Sequence, residues 1–113
     1  MCTQNDLEKI LKEITVIYHK IYNQDLCDIY LYGSYARGDY SSESDIDIVG
    51  IVKGDRCKLQ EQLKEIWSAV SNLELDYEVI ISPTVIPYKE FEDYKDILPY
   101  YRNIVKEGVK LSA

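Results

Sequence analysis

Hydrophobic side chains change their spacing several times along this chain, and each change predicts a new element of secondary structure. In a first stretch, which ends near Asn23, apolar side chains recur every three or four residues, the spacing of one helix face. They are Leu7, Ile10, Leu11, Ile14, Ile17, Tyr18 and Ile21. Thr3 or Asn5 is suited to cap this helix. Residues 26–32 and 45–52 are instead apolar and β-prone, so we expect two strands there.

The second half of the chain shows the same alternation of helical and strand spacing. Residues 58–72 predict a second long helix. Its apolar face carries Leu59, Leu63, Ile66, Trp67, Val70 and, just beyond, Leu73. A third strand is predicted over residues 75–82 and is closed by Pro83. Residues 85–87 are extended and form either an edge strand or a linker.

The tail beyond residue 88 predicts two short helices, around residues 91–94 and 100–105, separated by Leu98-Pro99. The order of helices and strands favours a small α/β (α+β) fold, with a mixed β-sheet and helices packed against it. A chain of 113 residues, 46% of them apolar, has room for one core. We therefore expect residues 1–113 to form a single domain.

Charge and composition narrow the range of partners. The net charge of −7 argues against a broad nucleic-acid surface, which needs clustered Lys and Arg. No stretch approaches the ~20 apolar residues of a membrane span, and the first residues lack the basic and then apolar pattern of a secretion signal. Cys2, Cys27 and Cys57 show no metal-ligand spacing, which favours reduced thiols. We expect a cytoplasmic protein.

Two short motifs around the predicted turn between the first strands carry the chemistry. Asp45 and Asp47 are two residues apart on a predicted strand, so their carboxylates point to the same side. Adjacent carboxylates are costly unless a cation neutralises them, and they suit Mg²⁺ shared with phosphate oxygens. Gly33-Ser34 offers N–H groups and a hydroxyl to an anion, unless Ser34 only caps a short helix. The two motifs together predict phosphoryl or nucleotidyl chemistry.

Other side chains near these motifs have two interpretations each. Arg37, one helical turn beyond the Gly-Ser turn, is placed to reach a phosphate or to pair with a local carboxylate such as Asp39 or Glu43. Tyr35 and Tyr40 flank the predicted site. Either tyrosine is suited to stack on a base or to be an exposed target for modification.

These motifs resemble the signature of the DNA polymerase β-like nucleotidyltransferase superfamily. The matching residues are Gly33-Ser34-Tyr35-Ala36-Arg37-Gly38 and then Ser44-Asp45-Ile46-Asp47. The chain is similar to the minimal nucleotidyltransferases, the antitoxin partners of HEPN toxins, over residues 30–52 and more loosely through most of its length. The resemblance implies the polymerase β-like palm fold, ATP or another NTP as substrate and Mg²⁺ as cofactor. Gly33, Ser34 and Arg37 are then the expected nucleotide-binding residues.

Members of this superfamily use a third carboxylate, from a later strand, beside the aspartate pair. In the predicted strand 75–82, Asp76 and Glu78 share one face. Glu78 is deeper in the apolar run, where an acid more strongly needs a partner. We therefore expect Glu78 to complete a catalytic and metal-binding set with Asp45 and Asp47, and keep Asp76 as the alternative.

Three functions are consistent with these residues. The leading hypothesis is Mg²⁺-dependent transfer of AMP, or another nucleoside monophosphate, from an NTP to a hydroxyl. The resemblance implies that this hydroxyl belongs to a tyrosine of a HEPN toxin, so that the chain is a protein adenylyltransferase antitoxin. The second is a catalytically degenerate binding module that neutralises its partner by complex formation. The third is transfer to a small hydroxylated molecule such as an aminoglycoside, in a homodimer that completes the acceptor cleft.

Overall fold

A four-stranded mixed sheet with helices on both faces is formed by residues 3–41 and 43–111, the parts of the chain that the computed structural model describes. The helices are α1 (Gln4–Tyr22), α2 (Ser34–Arg37), α3 (Arg56–Tyr77), α4 (Tyr88–Tyr94) and α5 (Pro99–Glu107), with a 3-10 turn at Asn23–Asp25. The strands are β1 (Leu26–Tyr32), β2 (Ile46–Val52), β3 (Ile81–Pro87) and β4 (Val109–Leu111).

The sheet has the order β3-β2-β1-β4. The strands β1 and β2 form an antiparallel pair, and β4 pairs antiparallel with the other side of β1. The connection through α3 makes β3 parallel to β2, as a helical crossover does. The mixed sheet predicted from the sequence is thus confirmed.

One face of the sheet is covered by the two long helices. Thr3 caps α1 in a capping box: its Oγ1 accepts from Asp6 N–H, and its own N–H donates to the Asp6 carboxylate. The predicted apolar stripe of α1 and most of that of α3 pack on the even-numbered positions of β2. Trp67 is the exception, because its side chain is 55% exposed rather than buried.

The other face of the sheet is only partly covered. Val49 and Ile51 of β2 pack there against Phe91 of α4 and against Tyr101 and Ile104 of α5. Glu90 joins these helices to the start of α3, because its carboxylate accepts hydrogen bonds from both Arg56 and Tyr101. Asp45 and Asp47 share this face, because alternate residues of a strand point to the same side. They lie at the start of β2, beyond the part that α4 and α5 cover.

The third strand lies later in the chain than the sequence pattern indicates. The predicted strand at 75–82 was wrong: α3 continues to Tyr77 and β3 begins at Ile81. The Glu74 carboxylate accepts a hydrogen bond from Ile81 N–H, which ties the last turn of α3 to the strand. Of the two interpretations of residues 85–87, the edge strand is confirmed, and Pro83 is tolerated within it because β3 lies at the edge of the sheet.

A buried tyrosine connects α1 to the sheet. The Tyr18 hydroxyl donates to the Thr84 carbonyl oxygen at 2.8 Å, and the ring crosses β2 at Gly50. A Cβ on Gly50 would lie 2.5 Å from Tyr18 Cε2, so glycine makes this contact possible. Burial raises the pKa of Tyr18 well above 10.0, so the hydroxyl stays protonated and keeps its bond to β3.

Replacement of Tyr18 by Phe should lower the free energy of unfolding by about 1–3 kcal/mol, because it leaves the Thr84 carbonyl without this donor. Urea denaturation followed by circular dichroism measures the change. Tyr94→Phe is the matched control, since its side chain is 46% exposed. A loss in the control equal to that in Tyr18→Phe would contradict the prediction.

Candidate functional site

The β1–β2 hairpin brings the two predicted motifs together at one end of the sheet. Tyr32, the last residue of β1, pairs with Asp47 near the start of β2. Gly33 follows Tyr32 directly, and α2 begins at Ser34. The turn and the aspartates therefore meet through strand pairing, although a loop separates them in the sequence.

Gly33 and Asp47 are in direct contact. Gly33 has a φ of +78°, a conformation that side chains with a Cβ rarely adopt. A Cβ placed on Gly33 would lie 2.6 Å from Asp47 Oδ2, well inside van der Waals distance. Glycine is thus required at this position for two reasons, the backbone conformation and the space that the carboxylate occupies.

The two aspartates interact electrostatically. Asp45 is exposed just before β2, while Asp47 is half-buried within it. Burial, and then the nearby Asp45 carboxylate, raise the pKa of the Asp47 carboxyl from its usual 3.8, whereas the Arg37 guanidinium acts in the opposite direction. A cation bound between these oxygens would remove the repulsion.

The structure shows where Ser34 and Arg37 lie, for each of which the sequence left two interpretations. The cap of α2 is Gly33, and Ser34 is its first helical residue, so the capping interpretation of Ser34 is wrong. Arg37 pairs with Asp39, Nε to Oδ2 at 3.3 Å, and this exposed pair contributes little stability. Because Arg37 also acts on the pKa of Asp47, its charge is directed at the site as well as at the loop.

Asp76 and Glu78, the two candidates for a third carboxylate, do not lie on a strand. Glu78 is the exposed C-terminal cap of α3, with a φ of 54°, and Asp76 is exposed in the last turn of that helix. The strand alternation that placed both beside the aspartate pair therefore does not apply. Within the described residues, no three His, Cys, Asp or Glu side chains are grouped to hold a metal ion. The residue of β3 that pairs with Asp47 is Ser82, whose hydroxyl lies 3.5 Å from Asp45 Oδ2.

Tyr100 is a site residue that the sequence did not place there. It lies in the first turn of α5, and its ring meets that of Tyr32 edge to face with centroids 5.7 Å apart. Burial raises the pKa of Tyr100, the nearby Thr84 side chain opposes this, and Tyr32 and Asp47 raise it further. The sequence did not indicate this tyrosine, because no local pattern shows that α5 folds back over the sheet.

The tyrosines beside the Gly-Ser turn contact each other. The rings of Tyr35 and Tyr40 are stacked at 4.2 Å and an angle of 7°. Tyr35 is buried, so its ring is part of the core rather than an open platform for a base.

The donor set suits magnesium. Mg²⁺ prefers one or two protein carboxylates together with waters and substrate phosphates, and Asp45 and Asp47 provide two carboxylates. The contact between Gly33 and Asp47 places the N-terminal end of α2 next to them. A phosphate held at this turn would therefore lie within reach of a cation on the aspartates.

The described part of the chain also has a groove away from the aspartates. A wide, polar groove of about 1000 Å³ opens at the beginning of β1, lined by side chains that include His19, Lys58 and Gln62. It lies at the end of β1 opposite Tyr32 and the aspartates.

Cys27 and Cys57 are free thiols, as predicted, and Cys2 lies outside the described residues. In the part of the chain that is described, no helix has the length and apolarity needed to cross a membrane.

Comparison with known proteins finds a matching family and related sequences. Residues 7–111 match the family described as "Nucleotidyltransferase domain". The chain is 39% identical over 80 residues to "Putative protein adenylyltransferase MJ0141" of Methanocaldococcus jannaschii, covering 71% of this chain and 79% of that protein. It is 34% identical over 101 residues to "Putative protein adenylyltransferase MJ0604" of the same organism, covering 89% and 93%.

A solved structure shares the fold. The crystal structure of "a putative nucleotidyltransferase from Sulfolobus solfataricus" aligns with a TM-score of 0.52 and 23% identity, covering 96% of this chain and 87% of that one. A chain of a toxin–antitoxin structure with AMP-PNP aligns over 99% of this chain and 74% of its own length, with a TM-score of 0.49 and 20% identity. The second likeness is too loose to support a functional conclusion.

Proposed function

We propose that this chain, which belongs to the nucleotidyltransferase domain family, transfers AMP or another nucleoside monophosphate from an NTP to a hydroxyl of a partner protein, in a Mg²⁺-dependent reaction. The observation that carries the proposal is the contact between Gly33 and Asp47. It joins a turn suited to phosphate and a carboxylate pair suited to a cation in one site. Nucleotidyl transfer requires both elements side by side.

Each residue then has a defined task. Asp45 and Asp47 would hold Mg²⁺, which neutralises charge on the triphosphate during transfer. The amides and hydroxyl at Gly33-Ser34 would hold the β- and γ-phosphates, and Arg37 would turn from Asp39 towards a phosphate oxygen. The proposal uses two carboxylates rather than three, because Asp76 lies in the last turn of α3 and Glu78 caps that helix, so neither is on the strand beside the pair.

A protein acceptor is favoured by the surface next to the site. Ile97 and Leu98, just before α5, are 67% and 41% exposed, and Tyr100 follows them. Exposed apolar and aromatic side chains of this kind are typical of protein interfaces. The names of the two Methanocaldococcus relatives also describe transfer to protein. We propose a tyrosine of a helical HEPN toxin as the acceptor and ATP as the first NTP to test.

The test is label transfer to a co-purified partner. The chain and a candidate HEPN protein are incubated with Mg²⁺ and each NTP labelled at the α-phosphate, with γ-labelled NTP in parallel. We expect α-label, and no γ-label, on a tyrosine of the partner, and loss of transfer when EDTA removes the cation. The double variant Asp45→Asn, Asp47→Asn is the enzyme control.

The outcomes separate the three functions. Label on the partner that persists in the double variant would contradict the proposed mechanism. Neutralisation of the toxin by the double variant without any label would favour a binding module. Label on an added aminoglycoside, but not on the protein, would favour a small-molecule acceptor.

A further inference from the structure

Two neighbouring residues, Tyr32 and Asp47, locate Tyr100 on the open face of the sheet. Its ring contacts Tyr32, which pairs with Asp47 across β1 and β2. Asp47 also raises the pKa of Tyr100, so the phenol and this carboxylate are close enough to interact. Tyr100 thus lies at the end of the sheet that carries the aspartate pair.

Exposure separates Tyr100 from the neighbouring tyrosine of α5. The side chain of Tyr100 is 44% exposed, so the ring is not locked in the core. In contrast, Tyr101 is buried, and its hydroxyl is bound to the Glu90 carboxylate.

We propose that Tyr100 is an acceptor of the nucleoside monophosphate in cis, so that the chain nucleotidylates its own tyrosine. The proposal rests on the proposed function, because it uses the same site, Mg²⁺ and an NTP. The phenolic oxygen of Tyr100 forms a bond to the α-phosphorus, and the bond from that phosphorus to the bridging oxygen breaks. Pyrophosphate leaves and the phenolic proton passes to water, so no further reactant is needed.

The first experiment uses the purified chain without any partner. It is incubated with Mg²⁺ and α-labelled ATP, denatured, and mapped by peptide mass spectrometry. We expect a nucleoside monophosphate on Tyr100, lost in Tyr100→Phe and retained in Tyr94→Phe, whose tyrosine is similarly exposed but lies on α4. Label at another residue, or equal label in Tyr100→Phe, would overturn the proposal.

A mixing experiment distinguishes transfer within one chain from transfer between chains. Wild-type chain is mixed with a tagged Asp45→Asn, Asp47→Asn chain, which retains Tyr100 but lacks the proposed ligands. We expect the label on the wild-type chain alone. Label on the tagged chain would show transfer between molecules and would overturn the reaction in cis.

A second readout does not depend on turnover. Tyrosines are acetylated with N-acetylimidazole in the presence or absence of Mg²⁺ and α,β-methylene ATP, which cannot release AMP. We expect the bound nucleotide to slow acetylation of Tyr100 but not of Tyr94. Equal acetylation of Tyr100 under both conditions would overturn its place beside the nucleotide.

Failure of this inference is distinguishable from failure of the proposed function. If a partner protein is labelled while Tyr100 is not, the proposed function stands and self-transfer is excluded. If neither is labelled and the analogue protects no tyrosine, the proposed function fails, and the inference that rests on it fails too.

Discussion

Replacement of both Asp45 and Asp47 by Asn is expected to reduce nucleotidyl transfer by about a thousandfold or more. Each substitution removes a negative oxygen from the proposed cation site, and metal stabilisation of transition-state charge is worth several kcal/mol. The two side chains lie at the open end of β2, so Asn should fit without rearranging the core. The measurement is the initial rate of α-label transfer at saturating NTP and Mg²⁺.

Glu78→Gln is the matched control for this experiment. It also changes a carboxylate to an amide, but at the exposed cap of α3. Surface changes of this kind usually alter energies by less than about 0.5 kcal/mol, so we expect a rate within about twofold of wild type. A loss in Glu78→Gln comparable to that of the double variant would restore a role for this glutamate and contradict the two-carboxylate site.

The single variant Asp47→Asn should make the folded chain more stable near neutral pH, although it removes a proposed metal ligand. The folded-state pKa of Asp47 is raised above its usual 3.8, so the folded chain holds this proton more tightly than the unfolded chain. The resulting stabilisation is complete below pH 3.8 and is lost as the pH rises through the raised pKa. Near neutral pH without Mg²⁺, Asp47→Asn should therefore melt at a higher temperature than wild type.

Differential scanning fluorimetry across this pH range measures the effect. The advantage of Asp47→Asn should grow as the pH rises from 3.8 and then level off. Added Mg²⁺ and NTP should raise the melting temperature of wild type and leave the variant nearly unchanged. A variant that is less stable than wild type at neutral pH without Mg²⁺ would show that the Asp47 carboxylate stabilises the fold.

Gly33→Ala should damage both the fold and the site. Its φ of +78° is strained for alanine, and the new Cβ would meet Asp47 Oδ2 at 2.6 Å. We expect a loss of about 1–3 kcal/mol in the free energy of unfolding. Displacement of the Asp47 carboxylate by about 1 Å should lower the rate of transfer about a hundredfold.

Gly38→Ala separates these two causes. Gly38 has a similar φ of +85°, but nothing lies within 4 Å of the position its Cβ would take. The control variant should therefore show the backbone strain of about 1 kcal/mol and keep most of its transfer rate. Comparable rates in the two alanine variants, measured by the same label-transfer assay, would mean that contact with Asp47 is unimportant.

The sequence predicted the strands of the hairpin and the meeting of its motifs because these depend on local signals. Apolar runs on both sides of a glycine turn are enough to predict β1 and β2. The helical stripe of α1 and its cap, Thr3 or Asn5, were predicted for the same reason. The stripe is confirmed, and the cap is Thr3. The signals that predict these elements all lie within the segments themselves.

The prediction failed where tertiary contacts decide the structure. Leu75 fits an alternating strand pattern, yet its side chain is 79% exposed on α3. The helix extends this far because Glu74 anchors its last turn to Ile81 of β3, a contact that local periodicity does not reveal. Pro83 was interpreted as a strand end, because nothing in the sequence shows that β3 lies at the sheet edge. Tyr100 was missed at the site for a similar reason, since α5 is placed by packing on Val49 and Ile51.

The position of β4 has a consequence for how the chain folds. Its residues pair with β1 in the register Ile29 with Leu111 and Tyr30 with Lys110, so the partners are far apart in the sequence. On a ribosome, one edge of β1 stays unpaired until the last strand has been synthesised. Contacts between such distant segments slow folding, and an unpaired edge can recruit other chains in the meantime. The hairpin that carries the candidate site is made of neighbouring segments, so it can form before the sheet is complete.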